Sequence, residues 1–110
     1  MKLKVLSMIF FTTFSSSSFA EEMDFKICAA GGFYSGAKDR FLSGLALHIR
    51  EKKNLHFNPT CSAVWKNAYD TGEYFSKTGK TRNSEEEMIV QQANDFSTQI
   101  YESVAKNITF

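Results

Sequence analysis

The sequence predicts an all-α protein: a small three-helix domain held by one intramolecular disulfide and preceded by a cleaved signal peptide. Three observations carry this expectation. Apolar residues recur at three- and four-residue steps along most of the chain after residue 24, the spacing of helices with one buried face. The only Pro, the only Trp and one of the only two Cys fall together between Asn58 and Trp65. The first 20 residues are laid out for export.

The export signal comes first in the chain. Lys2 and Lys4 supply positive charge, Val5 to Phe14 is a short apolar run, and Ser18-Phe19-Ala20 offers small residues where a signal peptidase reads. The run is too short to cross a bilayer, and a serine tract from Ser15 to Ser18 follows it. No Cys stands near the cleavage point to carry an acyl anchor. The expected organisation is therefore a signal peptide at 1–20 and a single helical domain at 21–110, exported to the periplasm with no membrane anchor after cleavage.

In the first helix Ile27, Ala30, Tyr34, Ala37, Phe41, Leu45 and His48 form one stripe, flanked by Leu42 and Ile49. Gly31-Gly32 interrupts it, and each Gly costs about 1 kcal/mol against Ala inside a helix. The regular helix is therefore expected to begin at Phe33 or Ser35, with 24–32 as a separate turn or kinked segment. Two cysteines in an exported chain form, most simply, one bridge, Cys28 to Cys61.

That bridge constrains the path of the chain. A straight helix over 28–50 would be about 33 Å long, and a tight hairpin would leave Cys61 at the wrong end of it. Either an extended return through Leu55 and Phe57 packs on the first helix, or a break at Gly31-Gly32 folds Cys28 over.

The second helix starts at Asn58-Pro59. Asn58 is a good N-cap, and Pro at the first helical position loses no hydrogen bond. Cys61, Trp65, Ala68, Gly72 and Phe75 then share one face with Val64 beside them, and Thr78-Gly79 ends the helix. Lys77, Lys80 and Arg82 suit a solvated turn beyond its negative end. The third helix opens with a capping box, Ser84 to Glu87, and continues through Ile89, Ala93, Phe96, Ile100 and Val104, with Met88, Val90 and Tyr101 broadening the face.

Composition and motifs exclude several functions. Taking Lys2 and Lys4 from 13 basic side chains leaves one fewer than the 12 acidic ones, so the exported domain has no electrostatic footprint for nucleic acid. There is no CxxC, GxSxG, Walker A loop or GxGxxG. His48 and His56 have no zinc-ligand spacing, and no metal or cofactor is expected. Glu51 or Glu73 could serve as a general acid only in a groove that a domain of this size can barely wall, so no enzyme is expected.

Binding remains. Tyr34, Tyr69, Tyr74 and Tyr101 border the apolar stripes, where tyrosine is at home half-buried at interfaces. Gly32 and Gly36 form one GxxxG step with Gly44 two turns further along, which marks either a groove for a partner's backbone or close packing of the protein's own helices. Tyr34, Gly36, Tyr69, Tyr74 and Tyr101 are thus the candidate contact residues for another periplasmic or envelope protein. The first expectation is an accessory subunit of a secretion or conjugative-transfer assembly. The alternative is an inhibitor or immunity protein against a toxin or cell-wall hydrolase, presenting the loop Lys77 to Asn83. In layout alone, a helical exported domain of this length with one bridge between distant cysteines, the chain also resembles periplasmic acid-stress chaperones.

Overall fold

The computed structural model of the protein describes residues 23–108, and side-chain surroundings through residue 103. The expected signal peptide at 1–20 lies outside the described residues. The described residues form four α-helices: α1 over 23–36, α2 over Arg40–Lys52, α3 over Pro59–Thr78 and α4 over Ser84–Ile108, with a 3-10 turn at Leu55–Phe57 between α2 and α3. The fold is all-helical, as expected, but the first predicted helix is two.

Its break does not fall at the glycines. α1 runs unbroken through Gly31-Gly32 and stops at Ala37-Lys38-Asp39. There Lys38 turns left-handed at φ 66°. The Lys38 amide donates to the Ser35 carbonyl at 3.2 Å and the Asp39 amide to the Tyr34 carbonyl at 2.9 Å. This is a Schellman ending with a lysine where glycine is usual. Asp39 then caps α2, its carboxylate accepting from the Leu42 amide at 3.1 Å.

The reversal resolves the path to the disulfide. α1 and α2 are of nearly equal length, so α2 returns the chain to the level where α1 began, and Lys53 pairs with Asp24 at 2.8 Å. The 3-10 turn then delivers Cys61 to Cys28, whose Cα atoms are 5.4 Å apart in the bonded pair. No extended return segment is needed. Leu55 is buried as that reading required, but Phe57 is 77 % exposed.

The new phase also reassigns the α2 stripe. Leu42 and Ala46 are buried and Ile49 packs on the core, while Phe41 is 57 % exposed and His48 faces water. Gly44 is exposed with open space around it, so it does not continue the Gly32–Gly36 stripe.

α1 is the centre of the molecule. Every residue from Ile27 to Tyr34 is buried, as in a helix covered on all sides. α3 lies parallel to it and touches it backbone to backbone. A Cβ on Gly32 would fall on the Trp65 carbonyl oxygen, one on Gly36 on the Tyr69 carbonyl oxygen, and one on Gly72 of α3 on the Phe33 carbonyl oxygen. The GxxxG step thus serves the protein's own helix crossing.

α4 covers another side of α1. The Tyr34 hydroxyl donates to the Ala93 carbonyl at 3.0 Å, and Ile89, Ala93 and Phe96 are buried. Burial pushes the Tyr34 phenol above its ordinary range. α3 is built at its ends as expected. The Asn58 side chain accepts from the Thr60 and Cys61 amides, Pro59 opens the helix, and Gly79 closes it in the left-handed region.

Candidate functional site: a cleft between α2 and α3

The predicted contact residues separate into three groups. Tyr34 is 8 % exposed and Gly36 is buried under α3, so both are consumed by the core. Tyr101 is 55 % exposed on α4. Tyr69 and Tyr74 both lie on α3, but in different surroundings.

Tyr74 belongs to a clasp between α3 and α4. The Arg82 guanidinium lies over its ring, 4.3 Å from the centroid. Arg82 donates to Asp70 Oδ2 at 2.7 Å and to Glu86 Oε2 at 2.7 Å, and its backbone amide donates to Glu86 Oε1 at 2.7 Å. The Thr71 hydroxyl donates to the same carboxylate at 3.4 Å. The hydrogen bonds from Arg82 hold the buried Glu86 carboxyl below the usual range, and the two carboxylates raise Arg82 in turn.

Arg82 lies in the exposed turn beyond α3, as expected, but it is paired there with Asp70 and Glu86. One sequence expectation is corrected. The α4 cap stands one residue earlier than the predicted Ser84–Glu87 box: the Asn83 side chain accepts from the Glu86 amide at 2.9 Å, and Glu86 turns back to Arg82. Charge-assisted bonds of this kind join two helices and close a turn. The charged groups of the clasp are paired with one another.

Tyr69 sits elsewhere, beside Trp65. Four residues of α3, Ser62, Trp65, Lys66 and Tyr69, and Arg50 of α2 line a cleft of about 300 Å³. Its floor is set by the glycines of α1. The Trp65 ring packs where a side chain on Gly31 would otherwise stand, and the Arg50 guanidinium lies over that ring, 4.4 Å from the centroid. Tyr69 is 43 % exposed at the rim. Arg50 Nε is buried without a hydrogen-bond partner, and neither Arg50 nor Lys66 forms an ion pair among the described residues.

No protein-family model, curated protein or solved structure matches this chain. The chemistry of the cleft must therefore speak through its own residues. An indole, a phenol and two cations share one small concave surface with no carboxylate in its lining among the described residues.

A second and larger hollow, about 470 Å³, lies beside the disulfide between the starts of α1 and α3. Among the described residues its one carboxylate, Asp24, is engaged by Lys53, and the rest of the lining is apolar or neutral. Among the described residues no three His, Cys, Asp or Glu side chains come together as metal ligands, and no helix is long and apolar enough to cross a membrane. His48 is exposed on α2, and His56 stacks on Phe57 at 4.0 Å.

Of the cleft residues, sequence reading found only Tyr69. Trp65 stands on the apolar face of its helix, and Arg50 carries no sequence signal of its own. The missed signal was the uniformly apolar run Ile27 to Tyr34: a helix buried all round forces α2 and α3 onto adjacent sides of it, which brings Arg50 to Trp65.

Proposed function

We propose that the chain is a small exported protein that binds another protein of the cell envelope through the α2–α3 cleft, as an accessory part of a larger assembly such as a secretion or conjugative-transfer system. The observation that carries this reading is the cleft itself, where Trp65, Tyr69 and Arg50 converge at the surface. Trp, Tyr and Arg are the residues that dominate binding energy at protein interfaces, because each combines a large contact area with a directed polar group. The disulfide supports the exported location, since such bonds persist in oxidising compartments.

A photo-crosslinking amino acid placed at position 69 tests the proposal in the native cell. It should trap one envelope protein, identified by mass spectrometry, while the same probe at the exposed Glu87 of α4 traps none. Equal trapping from both positions, or none from either, would rule the cleft out.

A further inference from the structure

Resting on that reading, we infer that the occupant of the cleft is an acidic peptide segment of the partner, with an Asp or Glu carboxylate bound at the edge of Arg50 and steadied by Lys66. Charge complementarity is the basis. The lining carries two cations and no anion, and neither cation has a carboxylate partner among the described residues. The acids nearest in sequence do not serve: Asp70 is held by Arg82, and Glu51 and Glu73 make no ion pair within the described residues.

Arg50 is oriented as well as unpaired. Stacking on Trp65 occupies the face of the guanidinium and leaves its edge as the remaining polar surface. That edge is the fork which matches a carboxylate in two parallel hydrogen bonds. Nε–H is buried without an acceptor among the described residues, so the part of the edge open to the cleft is the pair of terminal nitrogens. A carboxylate arriving from the cleft would bridge those two. Lys66, exposed on α3, adds a second positive charge beside it, and Tyr69 provides an aromatic wall for an apolar neighbour of the acid.

Trp65 is the only tryptophan, so its fluorescence reports on the cleft directly. The probe is a blocked peptide, acetyl-Gly-Glu-Leu-Glu-Glu-Gly-amide, titrated against the same peptide with Gln for Glu. The acidic peptide should shift Trp65 emission saturably, bind at least about ten-fold tighter than the Gln peptide, and weaken as salt rises from about 50 to about 300 mM. Lys66→Glu changes an exposed side chain, leaves the fold intact and should weaken binding about ten-fold or more. Arg50→Lys keeps the charge but loses the fork and should weaken binding too, with an unchanged circular dichroism spectrum as the check on folding.

Equal response to both peptides, no saturable shift, or indifference to Lys66→Glu would overturn the inference. So would an equal response to phosphatidylglycerol vesicles, or self-association abolished by Lys66→Glu, which would give the cleft to a lipid surface or to a second copy. If position 69 still traps an envelope protein while Lys66→Glu has no effect, the acidic segment fails and the binding cleft stands. If nothing is trapped, the cleft fails as well.

Discussion

One substitution, glycine to alanine, should have opposite effects at two positions one helix apart. Helix propensity alone makes Gly→Ala favourable by about 1 kcal/mol in a helix interior. At Gly44 nothing lies within 4 Å of the new methyl, so that gain should appear in full. At Gly36 the methyl would land on the Tyr69 carbonyl oxygen and within 2.9 Å of the Glu73 amide nitrogen. Both obstacles are main chain, so no rotamer change relieves them. α1 and α3 would have to part by about an ångström to restore van der Waals distance.

Two other contacts resist that separation, the Cys28–Cys61 bond and the crossing of Gly72 on the Phe33 carbonyl. Overpacking a core costs typically about 1–3 kcal/mol, and backbone against backbone belongs at the upper end. Gly36 is the last residue of α1, where the propensity gain is smaller than in a helix interior, and Gly36→Ala should lose about 2 kcal/mol. For a domain of this size each kcal/mol moves the midpoint by about 4–8 °C, so Gly36→Ala should melt roughly 8–16 °C lower and Gly44→Ala roughly 4–8 °C higher. Thermal unfolding followed by far-ultraviolet circular dichroism reads both. If Gly36→Ala rises with Gly44→Ala, the two helices do not touch where the glycines place them, and the account of the fold is wrong.

Further outcomes follow from other parts of the molecule. Replacing Cys28 and Cys61 together by Ser opens a loop of 33 residues and should cost about 3.7 kcal/mol in the chain-entropy picture, measured by urea unfolding. Lys38→Gly relieves a left-handed residue at φ 66° and should stabilise by about 1 kcal/mol in the same assay. Glu86 has its carboxyl lowered chiefly by the hydrogen bond from Arg82, so its contribution is present above the ordinary Glu range near pH 4.3 and is lost as pH falls through the folded value. Glu86→Gln should therefore flatten the acid limb of the stability profile. The Tyr34 phenol is raised, so its contribution is present below the ordinary Tyr range near pH 10 and is lost as pH climbs towards the folded value; Tyr34→Phe should flatten the alkaline limb.

The helices, the cap at Asn58, the end at Gly79 and the disulfide were legible because each is local chemistry or simple pairing. The division of the first helix was not. Gly31-Gly32 carries the conventional breaking signal, yet it lies inside α1 because the space it leaves is filled by Trp65 and the backbone of α3. The true break uses Lys38, a residue without preference for the left-handed region, and only Asp39 beyond it hints at a new N-cap. Once the break is misplaced, the periodic stripe continues in the wrong phase. Phe41 and His48 are then assigned to the core, and Leu42 and Ala46 are undervalued. The clasp was hidden for a different reason: Arg82 reaches Asp70 across 12 positions, and no local pattern announces that meeting.

The same packing explains why the cleft escapes a search for site residues. Trp65 is wedged between two roles, its ring resting on Gly31 from within and carrying Arg50 towards solvent. Its position is fixed by what is missing at residue 31, not by any group that lines the cleft. A side chain there would meet Trp65 ring carbons at 2.7 Å or closer, and the ring, with Arg50 upon it, would have to move. The small residues of α1 therefore hold the surface as well as the core, since they set how far α3 can approach and so where an aromatic and a cation come together. If the cleft binds a partner as proposed, side chains already held in place by this packing would lower the ordering cost of association. In so small a domain, where side chains available for a separate supporting layer are few, the helix crossing itself does that work.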